Sequence, residues 1–494
     1  MVLRFLLCGL AIGVLFAPAI AGAGTAVTLA GGAWPTFGHD AGNTRQSPYI
    51  GAQTNHLKWS KVTGAATRGS AAVGPNGTVY VTSGSNVVWA LNPSDGSTIW
   101  AHTLPAQTWS SPSIGSNGYL YVGCYDGKFY ALDTVDGSVK WSTSADLFAY
   151  NSPAIGLDGT VLCPIEGGPL YAFDPTTGAD KWSRELHMST QGSPSIGSTG
   201  TVYTGGGAIL AFNPASGSSE ATFTGSAGFP YAPAIGHDGT LYAGDENGTV
   251  YSIDPSTMTA KWTHAIGSGV WTAAAIGTDG AIYVGCADGT IRALDGSTGH
   301  EKWSHSTGGP VEACPTVGAD GTVYVANNAG DVQALNPTDG TVKWSYSVGL
   351  EVFSSPTIGS DGTVYFGSDN GTFYAIGSTQ ALPVGQKLGP PIIPSSYLGS
   401  SGNVVKRRWV KAAGTVVPPR SPGTYAITIV RQRRVRGHWV NQGSGYAASL
   451  TASGRTYWSS VVFKTTGSWR MRAVHGRGSS QVVGAWSYYT VANR

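Results

Sequence analysis

The sequence predicts an all-β chain: an eight-bladed β-propeller followed by a small β-sandwich of Ig-like type. Three observations carry this reading. A turn glycine recurs at Gly77, Gly118, Gly159, Gly200, Gly239, Gly280, Gly321 and Gly362, in steps of 41 residues with one step of 39. A tryptophan recurs beside it at Trp59, Trp100, Trp141, Trp182, Trp262, Trp303 and Trp344, with Phe223 filling the remaining place. Near residue 400 the composition then changes sharply, from acidic to strongly basic. A period of ~40 residues holding four short strands is the mark of a propeller blade.

The elements of a repeat follow in order. Ser152 to Gly156 gives a first strand, and Asp-Gly or Asn-Gly then supplies the positive φ of a hairpin turn. Thr322 to Val325 is a second strand, and Asp288-Gly289 and Asn370-Gly371 mark the next turn. Tyr130 to Leu132 is a third strand. Asp133 opens a turn closed by Gly137, and Lys140-Trp141 begins the fourth strand. The pair Lys58-Trp59 precedes the first complete repeat, whereas the last repeat stops at Ile376-Gly377 without a fourth strand. Residues Leu57 to Val62 are therefore expected to complete the last blade and close the ring, which removes exposed sheet edges.

The expected organisation is a signal peptide at 1–21, an N-terminal lead-in at 22–56, the propeller at 57–377, a Pro/Gly/Ser-rich linker at 378–402 and a basic β-sandwich at 403–494. Arg4, the apolar run Phe5 to Phe16 and Ala19-Ile20-Ala21 have the order of an export signal. Cys8 follows Leu7 inside the apolar run, so no lipobox is read, and no later segment suits a membrane span. These features imply a secreted, periplasmic or cell-surface protein, expected to be a monomer. Cys124, Cys163, Cys286 and Cys314 remain after the leader. Bridges between neighbouring blades, Cys124 with Cys163 and Cys286 with Cys314, are one reading, and buried free thiols are the other.

The runs Ala90-Leu91-Asn92-Pro93 to Trp100 and Ala334 to Trp344, with Trp34-Pro35-Thr36-Phe37-Gly38-His39-Asp40, resemble the pyrroloquinoline-quinone (PQQ)-like repeat family over roughly residues 34–377. The resemblance implies the propeller fold, with tryptophans docking blade against blade. It also implies one of two functional classes: PQQ- and Ca²⁺-dependent alcohol or sugar dehydrogenases, or quinone-free scaffolds such as the propeller lipoprotein of outer-membrane protein assembly. The adjacent-cysteine pair of the dehydrogenases is missing, and no Glu/Asn/Asp set for calcium is evident. The expected cofactor is therefore none, with PQQ and Ca²⁺ as the alternative.

Candidate binding residues follow from aligning the repeats. The position three residues before the Ser-Pro proline holds Arg68, Trp109, Tyr150, Gln191, Pro230, Trp271, Glu312 and Phe353, and so differs between blades that are otherwise near copies. A channel mouth lined by these side chains would bind a protein or glycan ligand, or else form an aromatic plug. Asp126, Asp245, Asp288 and Asp369 each precede a hairpin glycine, where turn geometry alone favours Asp over a calcium loop. His300 and His305 have neither metal nor triad spacing, and no catalytic residue is assigned. A non-enzymatic binding or scaffold protein is the expected function. A quinone-dependent dehydrogenase and a glycan-binding or glycan-active propeller are the alternatives.

Residues 400–494 hold 15 Lys plus Arg and no Asp or Glu, whereas residues 22–399 hold 13 Lys plus Arg against 27 Asp plus Glu. Trp469, Met471 and Ala473 alternate with Arg470 and Arg472 as in a strand, and Tyr425, Ile427 and Ile429 alternate likewise. With Arg431, Arg433, Arg434 and Arg436, these arginines are expected to attract anionic envelope polymers, or the acidic propeller of the same chain. Nucleic acid is not an expected partner, because no nucleic-acid-binding motif is present.

Overall fold

The computed structural model describes residues 28–145, 151–165, 167–186 and 190–377, and beyond these only strand segments between 387 and 492. Among the described residues every regular element is a strand. Up to residue 377 these form eight four-stranded antiparallel sheets, the blades. In blade 2 the strands are Ser113–Ile114, Tyr119–Cys124, Lys128–Asp133 and Val139–Ser144, paired in chain order. Burial explains the residue types. The two middle strands are almost wholly buried between neighbouring blades, while the fourth buries Trp141 and exposes most of its other positions.

Blade 8 joins the two ends of the ring. Thr357–Ile358, Val364–Ser368 and Thr372–Ile376 take their fourth strand from Leu57–Val62, with Trp59 opposite Ala375. The expectation from the incomplete last repeat is met.

The tryptophans fasten each blade to the next. The indole N–H of Trp59, Trp100, Trp141, Trp182, Trp262, Trp303 and Trp344 donates to a carbonyl of the following blade or, for Trp344, to Ala52 of the lead-in, at 2.8–3.1 Å. Beneath six of the rings lies the glycine that closes the turn between third and fourth strands. A Cβ added at Gly96, Gly137, Gly178, Gly217, Gly299 or Gly340 would lie 2.4–2.6 Å from the indole. These glycines are required by close approach as well as by their positive φ.

Blade 4 departs from the expectation. Phe223 does not stand in the tryptophan position: the residue opposite Ala211, as Trp182 is opposite Ala172, is Ala221. Phe223 lies two residues later, opposite Ile209, and packs on Phe229 and Tyr251. The next blade compensates. Its turn carries Met258 (φ +49°) where other blades have glycine, and this buried side chain joins the cluster against which Ala221 packs. An alanine facing a methionine replaces a tryptophan facing a glycine.

The lead-in crosses one end of the channel. Its carbonyls at Pro35, Ala41, Gly42, Thr44 and Arg45 accept the N–H groups of Ile114, Ile196, Ile235, Ile276 and Val317, each the last residue of an innermost strand. The candidate mouth therefore lies at the opposite end, formed by the loops into the innermost strands and the turns between second and third strands.

In the basic region, Ile427–Val435 pairs with Gly467–His475, His438–Asn441 and Tyr446–Leu450, and Trp409–Val417 pairs with Thr456–Val462. Arg472 stands opposite Val430 and Arg470 opposite Gln432, while Arg431 and Arg433 stand opposite Met471 and Trp469. The candidate arginines thus occupy positions of both parities. Arg436 lies outside the described residues.

Candidate functional site

The mouth divides into a closed arc and an open one. The closed arc spans blades 8, 1 and 2 and centres on Arg68. Its guanidinium carbon lies 4.6 Å from the centroid of Trp109 and 4.5 Å from that of Phe353. Nε donates to Oδ1 of Asp369 at 3.0 Å and Nη2 to Oδ2 at 2.5 Å. The carboxylate bonds hold Arg68 protonated even above the usual arginine range. Trp109 meets Tyr125 edge-on at 5.3 Å. Three of the candidate residues are thus brought together, and the missing member is Asp369, which the sequence presents only as a turn residue.

The open arc runs over blades 4 to 7. Gln191 is exposed and Trp271 is 41% exposed, which is high for a residue of that size. Glu312 is half-buried and accepts a bond from Asn328 Nδ2 at 2.7 Å. Pro230 is buried. Tyr150 lies outside the described residues.

The four aspartates at hairpin turns do not assemble. Asp126 accepts from Lys128 N and Tyr130 Oη. Asp245 accepts from Ser226, Thr249 and Tyr251. Asp288 serves Thr290 and Arg292, and Asp369 serves Arg68. No group of three His, Cys, Asp or Glu side chains able to hold a metal occurs among the described residues. Among the described residues this donor set does not fit the calcium that a PQQ site needs.

The four cysteines are buried free thiols, not bridges. Cys314 belongs to a belt around the channel: Ala273 N donates to Cys314 Sγ, Cys314 N to Ser355 Oγ, Ser355 N to Ser70 Oγ, Ser70 N to Ser111 Oγ and Ser111 N to Ser152 Oγ, at 2.9–3.2 Å. Cys314 thus stands in a serine position. Burial pushes Cys124 and Cys286 up to about 11 and raises Cys163 well above the thiol range, which makes them poor nucleophiles.

Sequence reasoning missed the interior below the mouth. Phe37 of the lead-in, with Arg45 over its ring, meets Tyr231 and Cys314 there. Tyr231 had a signal, because the aligned positions Gly69, Ser110, Asn151, Gly192, Thr272, Ala313 and Ser354 are all smaller. Arg45 had none, since the lead-in lies outside the repeat.

Comparisons with known proteins agree with this architecture. The family model described as outer membrane protein assembly factor BamB matches residues 49–222 and 205–389. No curated protein matches the chain by sequence. Among solved structures, BamB from Moraxella catarrhalis superposes with TM-score 0.57 at 19% identity, covering 66% of this chain and 99% of that one. Quinohemoprotein alcohol dehydrogenase from Comamonas testosteroni gives 0.60 at 16% identity, covering 74% and 83%. A europium-containing methanol dehydrogenase gives 0.59 at 17%, covering 68% and 90%. At such identities the structural likenesses establish the fold. The family model spans more than half of the chain, and the chain therefore belongs to the propeller family that this model describes, that of outer membrane protein assembly factor BamB.

Proposed function

We propose that this protein is an exported, quinone-free scaffold that holds a protein partner at the channel mouth. The observation that carries the reading is the division of the mouth. Asp369, Asp245 and Glu312 are engaged by neighbouring side chains, while Trp271 is left exposed on a loop of a rigid ring. An exposed tryptophan on a preformed surface suits a protein anchor. The family description, an assembly factor, supports the same reading. The leader at 1–21 supports export. The basic region, proposed as an Ig-like sandwich, would tether the propeller to anionic envelope polymers through Arg431, Arg433, Arg434, Arg436, Arg470 and Arg472.

Two measurements test the reading. The full-length chain is incubated with PQQ and Ca²⁺ and then desalted; the quinone absorbance is expected to wash out and dye-linked alcohol oxidation to stay at background. In parallel, the chain is recovered from its own envelope after mild cross-linking. Trp271→Ala is expected to lose a discrete partner, with affinity falling by about tenfold or more. Retained quinone with dye reduction, or a partner indifferent to Trp271→Ala, would overturn the proposal.

A further inference from the structure

Below the mouth a single cationic side chain of the lead-in is enclosed within the ring. Arg45 is fully buried. Its Nη1 donates to Phe37 O at 3.4 Å, and its guanidinium carbon lies 4.2 Å over the Phe37 ring. Its Nε and Nη2 have no hydrogen-bond partner, and it forms no ion pair among the described residues. Enclosing a guanidinium in this way carries a desolvation cost that a single cation–π contact recovers only in part.

The backbone holds the residue in that place against a further cost. Arg45 has φ +55°, a left-handed conformation that residues with a Cβ rarely adopt. Its N–H is bonded to Gly38 O at 3.0 Å, and its carbonyl accepts from Val317 N at 2.9 Å. Backbone strain and an uncompensated charge therefore coincide at one residue.

The two unpartnered nitrogens form one edge of the guanidinium fork. The same edge has an occupant elsewhere in this molecule: Nε and Nη2 of Arg68 hold the two oxygens of Asp369. Such an edge matches a planar carboxylate in two parallel bonds. The surroundings suit a small anion with an apolar body. Phe37 stacks on Tyr231 with centroids 6.4 Å apart, and Ala273 and Cys314 complete the cluster. Burial raises the Tyr231 hydroxyl well above its ordinary range, so it remains a neutral donor. The carboxylate of the neighbourhood, Glu312, is bonded to Asn328. Tyr231 is half-buried and rests against Gly192, where a Cβ would lie 2.7 Å from its ring.

We propose that the free edge of Arg45, beside the Phe37–Tyr231 stack, is a carboxylate-binding site at the floor of the mouth, reached when the Tyr231 ring moves aside. The carboxylate belongs either to a peptide inserted through the mouth or to a free small acid. The site stands independently of the scaffold reading.

The test is thermal melting and calorimetry of the full-length chain with sodium acetate, with a short neutral peptide bearing a free C-terminus, with the same peptide amidated, and with phosphate, all at matched ionic strength. Acetate or the free-acid peptide is expected to raise the Tm by a few degrees at saturation, and the amide is expected to have no effect. A peptide acid tighter than acetate identifies a peptide terminus, and equal affinity identifies a small acid. Arg45→Met is expected to abolish binding, Arg45→Lys to weaken it about tenfold, and Val135→Ser, in an exposed turn away from the mouth, to leave it unchanged. Absence of carboxylate stabilisation in the unmodified chain overturns the proposal, whether or not Arg45→Met folds. Stabilisation by phosphate alone, or carboxylate binding kept at full strength in Arg45→Met, also overturns it.

Discussion

Arg68 shows what one repeat position can do when every other copy differs. Its planar cation lies between Trp109 and Phe353 and is locked in register by Asp369, joining blades 8, 1 and 2 on the mouth side of the ring. The sequence displayed Arg68, Trp109 and Phe353 as variable positions of one alignment column. It could not show that Asp369, 301 residues away along the chain and in a different column of the repeat, would be the partner, because that pairing depends on ring closure. In a double-mutant cycle, Arg68→Ala with Asp369→Ala is expected to show a coupling of about 1–3 kcal/mol by denaturant unfolding; additive losses would mean the pair is incidental. The cysteines make a second residue-scale expectation. Cys124, Cys163, Cys286 and Cys314 should resist a thiol reagent in the native chain and react fully on unfolding without reductant. Thiols that appear only after reduction would show that the bridges form.

At the scale of elements, the blade-to-blade joint was legible as a repeating tryptophan, but the exception was misread. Periodicity in sequence placed Phe223 in the missing position, whereas strand register places Ala221 there. Only the neighbouring blade explains why an alanine suffices: Met258 fills the space that the glycine leaves elsewhere for an indole. Ala221→Trp alone is expected to destabilise by about 1–3 kcal/mol through overpacking against Met258. Adding Met258→Gly should recover most of the loss, because it restores the pairing used by the other blades. A double variant as unstable as the sum of its parts would contradict this joint. The turns between third and fourth strands add a pH dependence. Asp95, Asp136, Asp254, Asp295 and Asp339 accept hydrogen bonds from the turn residues that follow them, which lowers each carboxyl, Asp295 to about 2. Folded values below the unfolded ~3.9 mean a stability contribution that is complete above about pH 5 and lost as pH falls toward 2. The Tm should therefore drop through that window, and Asp295→Asn should flatten part of the drop. A Tm independent of pH between 5 and 2 would show that these turns do not contribute.

For the whole molecule, the eight turn glycines and the missing fourth strand at Ile376 were enough to read the ring and its closure by Leu57–Val62. The floor of the mouth was not legible, because the lead-in that builds it obeys no period and reaches the channel through backbone bonds to the innermost strands of six blades, Val73 with Trp34 included. The central claim, that the mouth and not the strapped face receives a protein partner, is tested most directly by placing a photo-cross-linking residue at position 271 and, separately, at Val135. Val135 is exposed in a turn at the strapped end. After irradiation in the native envelope, the account expects one discrete adduct from position 271 and none from position 135. An adduct from position 135 with none from position 271 would contradict it.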